Sequence, residues 1–524
     1  MPSNKSLHSR IRLAEIMASL SLAMDLGIGQ PMEWVISCCL LGVHFSELLG
    51  LSEHDRRLTY YLSLLRHIGC TSTATIEADV FGDELNLTAG LLADPKNPIE
   101  SLNFLLRTPG KGQPLMARLH IIGKALAAGP SMKEEVDRIQ CEVAIQFSRR
   151  LSFDFEIQSI LAQVFERWDG RGVPNHVKGE DIVLPVRIVQ LAQDMVIVQQ
   201  MSGTQEAIQV AKKRAGYLYD PDLVQIFCEH ADGLFEQLNM ESAWDALLTV
   251  EPGTPILLSE EQFNDALLAM ADFADLKSAY FSGHSRNVAL LARLAALEYG
   301  LPESDAELLW RAGLVHDIGR VGVSAGIWNK PGPLSESEWE RVRFHPYLTE
   351  RILLHSETLA PLGALSALHH ERLDGSGYYR GLPAEMQSIV TRILVAADTY
   401  QTKLEARPHR TALPPSAAAE ELRTLARMGK IDAKATDCVL RVVGQAGYSN
   451  RSAAPAGLSQ REIEVLRLMA KGFKKREIAE RLVISIKTVD HHIQHIYNKI
   501  GLNTRAGAAL FAMEHHLLND IDVN

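Results

Sequence analysis

Seven residues between positions 284 and 398 carry side chains suited to holding metal ions, in the order His284, His316-Asp317, His345, His369-His370 and Asp398. A neutral imidazole binds Fe, Mn or Zn through one ring nitrogen. The pair His369-His370 is followed by a short spacer and the glycine-broken turn Asp374-Gly375-Ser376-Gly377-Tyr378-Tyr379-Arg380-Gly381, which sets two nitrogen ligands beside a loop. Adjacent residues on a helix point about 100° apart, so both histidines can serve only if other ligands converge on them. The upstream histidines and the carboxylates of Asp317 and Asp398 are the candidates, with Asp317 placed to bridge. Singly, each histidine reads as a surface or core residue. The ordered set reads as a two-metal centre, which activates a water and stabilises charge on phosphoryl oxygens.

The fragments Gly283-His284-Ser285, His316-Asp317-Ile318-Gly319-Arg320, Lys330-Pro331-Gly332, His345-Pro346, His369-His370-Glu371 with the turn that follows, and Ala397-Asp398 share a further pattern. From about Ala274 to Arg410 the chain resembles the HD-GYP family, a branch of the HD-domain metal-dependent phosphohydrolases. The resemblance implies hydrolysis of a cyclic dinucleotide, chiefly cyclic di-GMP, with two divalent transition metals, Fe or Mn before Zn or Mg. By position it implies that His284, His316, Asp317 and Asp398 hold one ion, and that Asp317 bridges to a second held by His345, His369 and His370. Asp317 and Arg320 would be the catalytic residues, and Arg320, Gly377, Tyr378 and Tyr379 would meet the substrate.

Two positions depart from the family pattern. Arg320 stands where its motif ends in lysine, exchanging a compact ammonium for a planar fork. Tyr379 stands where it has proline, so the loop lacks a fixed φ. Neither is a metal ligand. The departures open a second expectation, a nucleotide-sensing regulator whose metal domain binds its ligand and hydrolyses little of it.

The elements that must position these residues are helical. Leu290, Leu291, Leu294 and Leu297 recur at helical spacing, few runs alternate as strands would, and Gly and Pro cluster between segments. An all-α fold is expected, with tandem HD-like domains and a small helix-turn-helix domain at the end. The tandem shows as an internal repeat. At an offset of about 250, Asp25 falls on Asp275, Gly50-Leu51 on Gly300-Leu301 and Ile68-Gly69 on Ile318-Gly319; at about 205, Glu166 to Gly172 falls on Glu371 to Gly377. The first copy, 13–245, has lost the ligands. Trp34 replaces His284, Arg66-His67 replaces His316-Asp317, Gln140 replaces His345, Val164-Phe165 replaces His369-His370, and Gln193 replaces Asp398. It reads as metal-free, serving either as a packing partner or as a ligand-binding domain. Residues 240–260 read as a linker, 257–443 as the metal domain, and Pro109-Gly110-Lys111-Gly112 as a turn without the frame of a phosphate loop.

With 46% hydrophobic and 22% charged residues the chain is globular. Cys38, Cys39, Cys70, Cys141, Cys228 and Cys438 have neither metal-ligand nor disulfide spacing, which fits a reducing cytoplasm. No apolar run follows Lys5, His8 and Arg10, so no signal peptide is expected. Met32 to Leu49 carries charges and is short of a membrane span, so it reads as a buried helix.

Beyond a Gly/Ser/Ala/Pro-rich stretch, Gly444 to Gly457, the charge changes sign. Leu458 to Leu518 holds ten Lys/Arg against six Asp/Glu, a net +4, which leaves −15 on the rest of a chain whose total is −11. Ser459 and Glu462 are spaced as a capping box, Lys475 to Leu482 forms a second helix, and Ser485 or Lys487 begins a third with Val489, Ile493 and Ile496 inward. This is helix-turn-helix spacing. Leu458-Ser459-Gln460-Arg461-Glu462, Gly472, Glu477-Ile478-Ala479, Lys487-Thr488-Val489 and Lys499-Ile500-Gly501-Leu502 resemble the LuxR-type DNA-binding domain, placed at 456–519. The resemblance implies binding of double-stranded DNA as a homodimer, through Lys474, Lys475, Lys487, Thr488, Asp490, His491, His492 and Lys499. Asp490 departs from the usual lysine there. The function expected from the whole chain is a cyclic dinucleotide phosphodiesterase coupled to a transcriptional regulator.

Overall fold

The structure, a computed structural model, describes residues 11–87, 94, 96–111, 113–445 and 455–518. Helices joined by short turns account for these residues, and the only β pairing among them is isolated bridges. Local chemistry sets many helix starts. Ser259 with Gln262, Ser335 with Glu338, and Ser459 with Glu462 form reciprocal capping boxes at Glu260–Asp275, Glu336–Arg343 and Gln460–Ala470. Each satisfies N–H groups that the first turn would leave unpaired, and such a cap contributes about 1 kcal/mol.

The repeat is present in space. Trp34–Leu48 and Glu53–Leu65 correspond to His284–Tyr299 and Glu303–Val315. Asp25 accepts from Val35 N at 3.0 Å, as Asp275 does from Ser285 N at 3.1 Å. A Cβ added to Gly69 would lie 2.2 Å from Gln140 O, and one on Gly319 would lie 2.1 Å from His345 O, so both copies need glycine at the same helix crossing. Glu166 accepts from Asn175 N at 2.6 Å, as Glu371 does from Arg380 N at 2.9 Å, so the same turn is tied down in the same way.

One hydrophobic core runs from Leu13–Gly27 through the first copy into Glu260–Asp275 and on to the tail helices; a second fills the far side of the second copy. The expected linker 240–260 is therefore not free. It contains the helix Ala243–Thr249, whose Trp244 and Leu247 are buried, and Trp244 stacks on His355 of the second copy at 5.4 Å. Leu13 N donates to Ile256 O and Leu258 N to Ile11 O. Two aromatic and aliphatic side chains in so short a stretch were enough to pull it into the core. Buried ions add direction: Lys277 pairs with Glu84 at 2.8 Å across the two copies, and Arg286 and Arg150 share Asp272. Removing one partner of such a pair costs about 3–5 kcal/mol, because the other charge stays buried. Residues 446–454 of the second expected linker, and the basic residues before position 11, lie outside the described residues. Trp34–Leu48 is buried on nearly all sides, and no helix of the described residues is long and apolar enough to cross a membrane.

Candidate metal centre and nucleic-acid interface

His284 opens the helix His284–Tyr299, His316 and Asp317 follow Glu303–Val315, and His345 opens His345–Leu353. His369 and His370 lie in the turn after Ala360–Ser366, and Asp398 lies mid-way along Ile389–Leu404. Asp317 is at the middle. Its Oδ2 is 3.2 Å from His284 Nε2 and 2.9 Å from His316 Nε2, while its Oδ1 is 3.3 Å from His345 Nε2 and 3.4 Å from His369 Nε2. Asp398 faces His284 at 3.3 Å and His370 at 3.8 Å. The donors sort into His284, His316 and Asp398 on one side and His345, His369 and His370 on the other, with Asp317 between. His369 and His370 are not on a helix, and their rings lie 4.0 Å apart, tilted by 47°.

The imidazoles are aimed from behind. His316, His345 and His369 each place Nδ1 on the carbonyl three residues back, Gly313, Val342 and Ser366, at 2.6–2.7 Å. That bond fixes the tautomer with Nε2 free for an ion. His284 instead turns Nδ1 to Glu405 at 2.9 Å, and Glu405 is held by Arg407 at 2.8 Å and Gln401 at 2.9 Å. Glu405 escaped the sequence reading. Its signal was its place seven residues after Asp398, where the helix carrying that aspartate ends.

Burial lowers the basicity of His316 and His370 and takes His345 down to about 4, so these rings are neutral near pH 7. Burial also disfavours charge on His284, but Glu405 outweighs it and holds that imidazole well above its ordinary value. Burial would raise Asp317 and Asp398; Arg320 and His316 on the first, His284 and His370 on the second, overcome it and keep both carboxylates ionised. Among the described residues His284 Nε2, His316 Nε2 and Asp317 Oδ1 are buried without a hydrogen-bond partner, and Asp317 Oδ2 has the Arg320 guanidinium beside the histidines. Orphaned nitrogen and carboxylate atoms converging this way fit divalent ions.

Family models match the chain in two places. That of the HD domain covers residues 120–223 and 269–435, just over half the chain, and that of the luxR family of bacterial regulatory proteins covers 456–512. The chain belongs to the HD-domain family. It carries an HD-GYP-like domain fused to a LuxR-type DNA-binding domain. The 3′3′-cGAMP-specific phosphodiesterase 3 of Vibrio cholerae is 32% identical over 406 residues, 77% of this chain and 88% of that one. The cyclic di-GMP phosphodiesterase response regulator RpfG of Xanthomonas campestris is 32% identical over 206 residues, 37% of this chain and 53% of that one. A solved structure of a cyclic GMP-AMP-specific phosphodiesterase from V. cholerae is 27% identical with a TM-score of 0.57, covering 83% of this chain and 98% of that one.

In this HD-GYP-like copy the expected substrate residues are arranged unequally. Arg320 places Nη2 2.6 Å from Asp317 Oδ2 and lies 4.4 Å over the Phe281 ring, so one arm of its fork is spent inside the centre; Nε and Nη1 have no partner among the described residues. The Tyr378 ring lies 4.6 Å from that of His370. A Cβ on Gly377 would lie 2.4 Å from Arg372 N, so glycine is what lets the turn fold onto Glu371. Tyr379 turns away, donating its hydroxyl to Glu350 and packing on Tyr347.

In the tail, Lys475–Leu482 and Ile486–Ile500 form the two helices of the motif, the second capped by Ser485. Val489 and Ile496 are buried, while Lys474, Lys475, Lys487, Thr488, Asp490 and His491 are exposed and His492 is half-buried. Asp490 pairs with Lys475 at 2.5 Å. Lys499 is committed to the module itself, pairing with Glu462 at 2.7 Å and donating to Gly457 O. The module sits on the body. Thr504 N and Oγ1 donate to Glu142, Ser282 Oγ donates to Ala470 O at 3.0 Å, and Leu518 packs against Gly283, the residue before His284.

Proposed function

We propose that the chain is a cyclic dinucleotide phosphodiesterase whose active centre controls promoter binding by its tail. The observation that carries this is Asp317 lying between two groups of buried donors. In this reading His284, His316, Asp317 and Asp398 hold one ion and Asp317, His345, His369 and His370 the other. Five imidazoles against two carboxylates favour Fe or Mn over Mg. Such ions supply Lewis-acid stabilisation of phosphoryl oxygens and activation of water. The chain's own residues do the rest. Arg320 directs its two unpartnered donors toward a phosphate oxygen, and Tyr378 offers a ring face to a base beside His370. The names of the relatives put 3′3′-cGAMP ahead of cyclic di-GMP as the substrate to try first.

Coupling to DNA rests on the segment 279–284. Arg407, which holds Glu405 behind His284, also donates to Tyr280 O, and Ala279, Ser282 and Gly283 all touch the tail. Occupancy of the centre is thus felt two residues from the docking contacts. DNA readers of this type pair on two half-sites, so the active form is a homodimer. Turnover of 3′3′-cGAMP and cyclic di-GMP by the purified chain with Mn²⁺ or Fe²⁺ is the test, and full metal loading with no turnover of either would sink the reading. Arg320 bonded to Asp317 and Tyr379 turned outward favour, in that event, a sensor that binds its nucleotide without cleaving it. Asp490→Lys is expected to tighten DNA binding several-fold at fixed salt, since it adds a cation and releases Lys475.

A further inference from the structure

The first copy keeps the backbone of the metal centre and replaces its chemistry. At the positions of His284, His316, Asp317 and Asp398 stand Trp34, Arg66, His67 and Gln193. Among the described residues, Trp34 Nε1, Arg66 Nε and Nη1, His67 Nε2 and Gln193 Nε2 are all buried without a hydrogen-bond partner. Trp34 and Gln193 are each only 2% exposed, the Trp34 ring lies 5.5 Å from that of His67, and Gln193 reaches His67. Apart from the His67 nitrogen, whose role depends on its tautomer, every one of these atoms is a donor.

Arg66 is the one cation of this set that keeps its charge at any ordinary pH. Its guanidinium lies 5.5 Å over the Phe165 ring, where the second copy has His370. No carboxylate among the described residues stands within ion-pair reach of it, and the nearest ones are engaged elsewhere. Asp194 accepts from Tyr219 and lies 3.6 Å from Arg214, and Asp137 is held by Lys133 at 2.7 Å. Arg66 is half-buried, but its Nε and Nη1 are withdrawn from water with no anion beside them, and buried donors without acceptors cost about 1–3 kcal/mol each. A fold that retains such a group after losing its metal ligands retains it for an anionic partner. The second copy gathers carboxylates that call for cations; the first gathers donors around one cation.

The surroundings select the kind of anion. Beside the turn that holds Val173-Pro174, the counterpart of Tyr378-Tyr379, lies an open groove of about 480 Å³ whose polar lining is Arg138, His176, Glu134, Glu135 and Ser131. Arg138 there suits a further phosphate, and the two carboxylates suit the N–H edge of a purine. We propose that the first copy is a binding site for a phosphate diester of a nucleotide, with Arg66 standing where the second copy would hold its ions. With no carboxylate at the position of Asp317, the first copy binds without hydrolysing. This holds whether or not the second copy is an active enzyme.

The test uses the full chain carrying Asp317→Ala, titrated calorimetrically with 3′3′-cGAMP, with cyclic di-GMP and with inorganic phosphate. Binding of at least one dinucleotide is expected, weakened tenfold or more by adding Arg66→Met and partly restored by Arg66→Lys. Arg66→Met removes an uncompensated cation, so the unliganded chain should melt no lower than its parent. Gln193→Glu is the second variant. It places a carboxylate at the position that in the other copy lies 3.9 Å from His316, so it should occupy Arg66 internally and abolish nucleotide binding while raising Tm. Unchanged dinucleotide affinity in both variants overturns the proposal, and so does binding of inorganic phosphate alone. No turnover by the metal-loaded parent chain, with Arg66-dependent binding intact, would sink the phosphodiesterase reading and leave this one standing.

Discussion

The two copies bend the chain at the same glycines and tie the same turn to the same glutamate, yet one centre gathers carboxylates among imidazoles and the other holds a guanidinium among unpaired donors. Scaffold and chemistry are thus separable here. Gly69 and Gly319 are dictated by how closely two helices cross, a demand of packing that survives loss of the site. The ligands answer to charge alone. Once Asp317 is His67, no centre of negative charge remains to hold a pair of divalent ions, and nothing in the packing would restore it.

The largest effect should follow from removing that charge. Asp317→Ala is expected to lower kcat by about 10³-fold or more, because water activation and phosphate stabilisation both need the ions. His67→Ala, at the equivalent point, should change kcat less than about twofold. Rates and metal content measured on the same samples decide it, and near-native turnover by Asp317→Ala would end the two-metal assignment. Stoichiometry sharpens the contrast. The two copies share one core, so they must be compared by substitution within the whole chain. Elemental analysis should find about two ions in the parent and about one after His345→Ala with His369→Ala, with no change after Gln193→Leu. A third ion in the parent would mean that the first copy also loads.

A smaller effect is expected at Glu405. Glu405→Gln keeps the shape but weakens the hold on His284 Nδ1, and loss of such an orienting partner typically costs about 10–100-fold in metal affinity. Competition with a chelating dye reads this directly, and unchanged affinity would show that the helix alone aims His284. The smallest is a pH effect in the first copy. Burial, with Arg66 beside it, lowers His67 to about 3, whereas an unfolded histidine titrates near 6.5. Between these values the unfolded chain binds the extra proton, so the contribution is complete above pH 6.5 and is lost as pH falls below it, by roughly 1 kcal/mol per unit. His67→Gln should shrink the stability difference between pH 7 and pH 5, measured by urea midpoints, and an unchanged difference would place His67 in water.

Much of this was legible in the linear chain. Helical periodicity, the capping boxes, the bounds of Lys475–Leu482 and the repeat with its lost ligands all depend on residues a turn or two apart, or on a motif order independent of distance. Helix and turn preferences act locally, so a sequence carries them openly. The seven candidate donors that converge in space were legible for the same reason: only certain side chains suit metals, and they stood in order.

Only the tertiary structure decided who meets whom. That Glu405 and not a carbonyl backs His284, that Arg320 spends one arm on Asp317, that Lys499 turns inward to Glu462, and that Glu142 receives the tail all depend on helices brought together from distant parts of the chain. The segment 240–260 is packed and not a free linker on the same ground, since Pro and Gly mark a break in helix but cannot show that Trp244 finds His355. Charged and polar side chains take their partners by proximity in space, and that proximity is set by how the apolar faces pack.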